Sequence, residues 1–309
     1  MYYSYAKFDG RDIGILRLPP GAGLANLLFP WARFIVGTKK YNLTPISPTW
    51  FQLQLGPLLR GESDKRFYND LFLTPKNQIA GLKKLYLLNT LKKVPSDEFK
   101  LNYETQTYNE DILVIFGGRY KKLFSEFLTE NNLVYQELLD ITLDKHKQGL
   151  NYNFKASISV HVRLGDFIPP DKAATEKGAL NYRIPISWYI QQINQIREYV
   201  KCDIPVYIFS DGKDIELAEL LALPNVRRIT FGSSIADLLA LANSNVLVAS
   251  GSTFSMWASF LGRMPVIWHK GQRKQKLYYE APYLEVETDK VGLLPKELLE
   301  RIALTLVDT

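Results

Sequence analysis

Apolar and polar residues alternate in blocks along this chain, and the block lengths predict an α/β protein. Short apolar runs bounded by glycine, proline or polar residues read as buried strands. They are Ile13–Leu18, Leu85–Leu88, Ile112–Phe116, Ile158–Val162, Val206–Phe209, Val226–Thr230, Val246–Ala249 and Val266–Trp268. Longer stretches repeat apolar residues at three- and four-residue spacing and read as helices. The clearest is Leu24–Val36, with Leu24, Leu27, Leu28, Trp31 and Phe34 on one stripe. Further helices are expected over Lys121–Leu139, in one piece or two, and over Ser187–Val200, Asp214–Leu221, Ala236–Asn243, Phe254–Leu261 and Pro295–Leu306.

Strand and helix in turn point to parallel sheets covered by helices on both faces. The polar stretch Asp144–Phe154, with its Lys, Asn and Gly residues, is the candidate boundary. The expected organisation is therefore two Rossmann-like domains, residues 1–150 and 151–309, facing each other across a cleft. In open α/β sheets ligands bind beyond the carboxyl ends of the strands. The loops after Leu18, Val162, Phe209 and Ala249 thus become the places to look for chemistry. There is no internal repeat or low-complexity segment to suggest another architecture.

Composition narrows the partners. The chain has 309 residues, of which 46% are hydrophobic, enough for large cores and too many for disorder. Its net charge of +6, from 38 Lys and Arg against 32 Asp and Glu, suits a small anionic ligand. It is weaker than a dedicated nucleic-acid binder requires, so no nucleic-acid partner is expected. The densest basic stretch, Lys270–Lys276, leaves room for an acceptor or peripheral membrane contact. The single cysteine, Cys202, forbids an internal disulfide. The three histidines, His146, His161 and His269, form no zinc spacing with it. The N-terminus lacks signal-peptide character, and no run of 18 apolar residues occurs. A cytoplasmic protein, or one held peripherally at the inner membrane face, is expected.

Three segments carry candidate chemistry. Gly21-Ala22-Gly23-Leu24-Ala25-Asn26 follows a strand and opens a helix, where backbone N–H groups can meet an anion. It lacks the third glycine and the following acid of a dinucleotide fingerprint. His161-Val162-Arg163-Leu164-Gly165-Asp166-Phe167 ends an apolar strand in charged residues. An arginine there can clamp a phosphate through two parallel N–H bonds. Asn245–Trp257 passes from strand through Ser250-Gly251-Ser252-Thr253 into a helix, an anion cradle of hydroxyl and N–H groups, or simply a capped helix. Phe209-Ser210-Asp211 marks another strand end, and Asp237, near a helix start, is read as a guanine acceptor or a cap. No Asp-x-Asp, Walker loop, His-Glu-x-x-His or Gly-x-Ser-x-Gly occurs, which removes the main support for metal-dependent sugar transfer, kinase and hydrolase readings.

Taken in order, these segments resemble glycosyltransferase family 11, the α-1,2-fucosyltransferases, within the wider α-1,2, α-1,6 and protein O-fucosyltransferase superfamily. Gly23–Ala32 is similar to that family's G-L-G-N-Q-L-F-Q-Y-A, residues 161–167 to its H-V-R-R-G-D-Y, and residues 251–257 to its N-S-T-F-S-W-W. The resemblance spans roughly residues 13–268. It implies a GT-B-like fold, a GDP-fucose donor, and inversion without metal or other cofactor. It places Arg163 on the β-phosphate, and His161 and Asp237 on the guanine. Ser252, Thr253, Phe254 and Ser255 fall on the pyrophosphate, and Gly23 and Asn26 reach the donor from the other domain. Asp166 is the nearest acid to the centre, a candidate base or a loop cap. The residues Ile168–Arg183 are read as a cover over the site or an ordinary surface insertion. Leu164 stands where family 11 has a second arginine, and Ala25 and Leu27 replace Gly and Gln. The expected acceptor is a galactoside, or a lipid-linked unit of a bacterial surface glycan. The alternatives are another GDP-sugar or linkage, and a non-catalytic sugar-nucleotide or glycan-binding protein.

Overall fold

The computed structural model describes all residues except 55, 57, 58, 60–64, 105–107, 119–121, 170, 172–175, 180, 290, 291, 308 and 309. The chain divides into two compact units, Met1–Lys145 and His146–Thr309, inside the polar stretch expected to separate them. Two short 3-10 turns, Asp144–His146 and Gln148–Asn151, occupy that stretch.

Unit 1 begins with strand β1 (Tyr2–Ala6), a short hairpin of β2 (Arg11–Asp12) and β3 (Arg17–Leu18), and helix α1 (Leu24–Lys40). Then come β4 (Thr44–Ile46), α2 (Gly81–Thr90), β5 (Lys92–Pro95), α3 (Ser96–Asn102), β6 (Ile112–Phe116) and α4 (Asn131–Ile141). Four of the strands form a parallel sheet in the order β4-β1-β6-β5. Its core holds Tyr3, Tyr5, Ile46, Leu87 and Leu113. The predicted strand Ile13–Leu18 is only the short antiparallel β2–β3 pair and its connection, with Ile13 and Ile15 exposed. The predicted strand Leu85–Leu88 is part of helix α2. A Leu-rich run without β-branched residues favours the helix, and only Leu87 and Lys84 of it are buried. Helix α1 is as expected, with Leu24, Leu27, Leu28, Trp31 and Phe34 buried. Lys121–Leu139 is not one helix: residues 122–127 form turns, Leu128–Glu130 a 3-10 turn, and α4 follows, while Lys121 lies outside the described residues.

Unit 2 alternates strand and helix. It runs β7 (Ile158–Val162), α5 (Ile186–Val200), β8 (Val206–Ser210), α6 (Ala218–Leu221), β9 (Val226–Arg228) and α7 (Ser234–Ala242). It continues with β10 (Leu247–Ala249), α8 (Thr253–Gly262), β11 (Val266–His269), β12 (Glu285–Thr288) and α9 (Lys296–Val307). The six strands form a parallel sheet in the order β12-β11-β10-β7-β8-β9. Every residue of β7 and β10 is buried; β10 is wholly apolar, whereas β7 sets Ser159 and His161 between its apolar residues. The core gathers Ile158, Val160 and Val162 of β7 with Trp188 and Ile193 of α5 and Leu298 and Ile302 of α9.

This order positions the site. From β7 the chain builds outward through β8 and β9, then returns to the other side of β7 to lay down β10, β11 and β12. The strand order therefore reverses between β7 and β10. In a doubly wound sheet that switch point opens a crevice beyond the carboxyl ends, where ligands bind.

Candidate active site

The two strands at the switch point end differently. Beyond β7 comes Arg163, whose Nη2 is 2.5 Å from Asp166 Oδ1 and whose Nη1 is 2.7 Å from Asp211 Oδ2. Asp211 follows β8, the neighbour paired in register through Val162 and Ser210. Its other oxygen accepts the N–H of Leu164 at 2.8 Å. A Cβ on Gly165 would lie 2.2 Å from Asp211 Oδ2, so the close approach of carboxylate to backbone requires the glycine. The guanidinium also lies 5.6 Å from the centre of the Phe167 ring. Arg163 is about a quarter exposed (23%), Asp211 31% and Asp166 42%. The group faces solvent, and its outermost member is Asp166.

Leu164, where the resembled family has a second arginine, points inward instead. It is buried in the unit 2 core, and a Cβ on Gly212 would meet its Cδ1 at 2.4 Å. An aliphatic side chain here packs the strand end and leaves the charge to Arg163.

Beyond β10 the groups are uncharged and buried, and they meet His161 of β7. His161 Nδ1 is 2.7 Å from Ser255 Oγ and 3.0 Å from Ser250 Oγ. Ser250 Oγ is 2.9 Å from Ser252 Oγ and 3.1 Å from Ser255 Oγ, and the Ser250 N–H donates to Ser255 Oγ at 3.1 Å. Ser252 is the N-cap of α8, accepting the Ser255 N–H at 3.4 Å. The N–H groups of a helix's first turn have no acceptor within the helix, so Thr253 and Phe254, both half-buried, stand at the end suited to an anion. A Cβ on Gly251 would come within 2.2 Å of Gln272 Oε1, which makes glycine necessary in this turn as well. Burial holds His161 down to about 4; Arg163 nearby pushes the same way, and Asp211 opposes them. The imidazole is therefore neutral at physiological pH.

These placements give several of the expected residues partners within the protein. His161 is 7% exposed, its ring 5.0 Å from that of Phe254 and its Nδ1 committed to hydroxyls. Through Nδ1 it braces the β10–α8 turn. Ser255 is fully buried and supports His161 and Ser250. Asp237 lies in the first turn of α7, but the N-cap there is Ser233. The Asp237 carboxylate accepts the Phe231 N–H at 2.6 Å and the Thr230 hydroxyl at 3.1 Å, bracing the entry loop. Two residues join the set: Asp211, noted only as a strand-end acid, and Ser250, noted only as part of a small polar turn.

Gly23 and Asn26 lie in unit 1 at the start of α1. Gly23 is the N-cap in an extended conformation, and a Cβ there would touch nothing within 4 Å. The Leu24 N–H donates to the Tyr68 hydroxyl at 2.8 Å, and the Asn26 N–H to the Gly23 carbonyl at 3.0 Å. The expected anion cradle at this turn thus has two of its donors engaged within the unit. Asn26 itself is half-buried.

The basic stretch 270–276 is largely turned onto the protein. Lys274 donates to the Gly178 carbonyl at 3.0 Å, and Arg273 to the Glu285 carbonyl at 3.0 Å and pairs with Glu287. Among the described residues no helix is long and apolar enough to cross a membrane. Of the loop Ile168–Arg183, the described ends are joined by Ile168 and Asn181 backbone bonds, while Pro170, residues 172–175 and Leu180 lie outside the described residues.

The switch point, with one arginine on one strand end and hydroxyls at the helix start on the other, lies within the stretch that comparison with known families picks out. Residues 117–268 match the model of glycosyl transferase family 11. That match contains β7 to β11, and with them Arg163, Asp211 and Ser250–Ser255. A comparison with curated proteins finds no match. Among solved structures, the chain is similar to the fucosyltransferase NodZ from Bradyrhizobium, with a TM-score of 0.51 and 13% identity over 85% of this chain and 94% of that one. The same α-1,6-fucosyltransferase soaked with GDP-fucose gives 0.51 and 12% over 85% and 93%. Arabidopsis thaliana FUT1 in complex with GDP gives 0.48 and 13% over 86% and 69%. At such identities the NodZ likeness is one of fold. The α/β units belong to the GT-B-like class.

Proposed function

We propose that this chain is an inverting, metal-independent fucosyltransferase that moves fucose from GDP-fucose to a glycan hydroxyl, with α-1,2 linkage to a galactoside. The observation that carries the reading is Arg163, fixed between two carboxylates at the end of β7, inside the family 11 match. The GDP-bound and GDP-fucose-soaked forms of NodZ, similar in fold, support the choice of donor.

The chemistry follows from the geometry. As the bond from the anomeric carbon to the β-phosphate breaks, negative charge grows on the departing diphosphate. Arg163 and the first-turn N–H groups of α8 meet that charge at the switch point. Groups held in place beforehand stabilise it without reorganising, and one such donor is commonly worth about 3–4 kcal/mol. Asp166 accepts from Nη2 of Arg163. A phosphate oxygen takes that position and releases the carboxylate, which then accepts the proton of the attacking hydroxyl. Asp211, anchored by the Leu164 N–H, keeps Nη1 and so keeps the guanidinium plane. Asp166 and Asp211 are thus arginine partners, and metal independence is part of the proposal for that reason.

The test is incubation with GDP-fucose and a panel of galactosides in the presence of EDTA, with product mass and linkage read by mass spectrometry and NMR. A fucosylated galactoside with an α-1,2 bond is expected. Transfer from GDP-mannose in preference to GDP-fucose, or none without added metal, contradicts the reading.

A further inference from the structure

Unit 1 contains a cavity of about 870 Å³ beyond the carboxyl ends of its strands. That size falls within the range of about 300–1,000 Å³ usual for ligand sites. Its wall includes Tyr5 from β1, Lys93 from β5, and Lys7, Arg11, Asp12 and Asp97. Leucines of α2 supply an apolar side, and the glycines that follow β6 leave its floor as bare backbone.

The charges in this wall are unequally committed. Lys7, Arg11 and Lys93 are exposed and have no ion-pair partner among the described residues. The acids, in contrast, are engaged. Asp12 accepts the Tyr5 hydroxyl and, at 2.7 Å, the Gly14 N–H. Asp97 pairs with Lys122 at 3.4 Å. Behind Asp12 the network continues inward: Tyr5 Oη is 2.9 Å from Thr49 Oγ1, which accepts from Lys84 Nζ at 2.8 Å. Tyr5 and Lys84 are both buried. Burial brings Lys84 down to about 8, against the pull of Asp12. A buried and satisfied network of this kind holds its outermost member in one place. The cavity therefore offers three uncompensated cations, one fixed carboxylate able to accept further hydroxyls, and an apolar side.

We propose that this cavity binds an acidic glycan, with a carboxylate or phosphate group of the sugar on Lys7, Arg11 and Lys93 and a sugar hydroxyl on Asp12. As the identity of the acceptor, this rests on the transferase reading above; as a binding site it stands by itself. Charge-assisted bonds give the anion its hold, and the apolar side accepts the sugar's C–H face.

Calorimetry on the full chain tests it with digalacturonate, the neutral galactose disaccharide of the same linkage, galactose 6-phosphate and GDP. Digalacturonate or galactose 6-phosphate is expected to bind at least about tenfold more tightly than the neutral disaccharide, as one or more charged contacts imply. Whichever is tighter identifies the source of the anion. The double variant Arg11→Ala/Lys93→Ala, both exposed residues, should lose about tenfold or more for the acidic sugar and leave GDP affinity unchanged. Its melting temperature and methyl NMR shifts of Leu85 and Leu88 check the fold and the place of binding. Equal affinity for neutral and acidic sugars, no binding of any sugar, or an unaltered double variant overturns the proposal. A parallel loss of GDP affinity in the variant also overturns it, since the cavity would then hold the donor. Failure of fucose transfer with intact acidic-sugar binding removes the transferase reading and leaves this site standing.

Discussion

The two strand ends at the switch point of unit 2 are built on opposite principles. The end of β7 is charged and partly exposed: one arginine held by two carboxylates that differ in how firmly they are anchored. The turn after β10 is neutral and buried: three serines bonded to each other and to His161, which reaches them from β7. The contrast separates tasks. Charge that must exchange partners during a reaction stays near water, where Asp166 can leave at small expense. Geometry that must not change is locked below it, where an unsatisfied polar group is costly and the network is held together for that reason.

Substitutions at each end should behave accordingly. Arg163→Ala should lower kcat by about a hundredfold or more, and Arg163→Lys should recover little because lysine lacks the two-pronged geometry. Steady-state kinetics with GDP-fucose measures both; near-normal turnover in the alanine variant removes the leaving-group assignment. Asp166→Asn should lower kcat by about a hundredfold while leaving GDP affinity unchanged or tighter, since a competing anion is removed from the guanidinium. Asp211→Asn should weaken GDP binding and kcat together, by about tenfold, because the guanidinium loses its orientation. Equal behaviour of the two carboxylate variants would erase the distinction between a displaceable and an anchoring acid.

At the buried end the readout is stability. Ser255→Ala removes a hydroxyl shared by His161 and Ser250, and should cost about 1–3 kcal/mol in a denaturant titration. His161 supplies the smallest effect. Its folded value of about 4 lies below the unfolded 6.5, so the unfolded chain binds the proton more readily. The stability this confers is full above about pH 6.5 and is lost as pH falls toward 4. His161→Gln should flatten part of that loss. An unchanged slope between pH 6.5 and 4 would show that the imidazole is not held neutral.

The same contrast explains what could be read from sequence. Most strands and helices of unit 2 were legible because apolar residues dominate the central strands and their ends break into polar residues; β12, Glu-Val-Glu-Thr, carries no apolar run and was not expected. Unit 1 was less so. Strand β1 is Tyr-Tyr-Ser-Tyr-Ala, whose core positions are tyrosines and a buried serine, and it carries no aliphatic signal. The Leu85–Leu88 run has the length of a strand and the composition of a helix, and packing against Tyr3 and Tyr5 decided for the helix. At the site, Arg163 and the Ser252–Ser255 turn were visible as residue types in the right order. Burial of His161 and Ser255 was not, because a motif names side chains without saying which way they face. Asp211 lies 48 positions after Arg163, and only the β7–β8 register brings them together. The engagement of Asp237 by its own entry loop is equally a product of backbone geometry.

The central claim is that Arg163 receives the diphosphate of a GDP-sugar at the β7–β10 switch point without a metal. Calorimetric titration of GDP into the wild-type chain and into Arg163→Ala, both in EDTA, tests it most directly. Binding by the wild type, weakened at least about tenfold in the variant, is the predicted result. Equal affinity of the two, or binding by neither until a divalent cation is added, would contradict it.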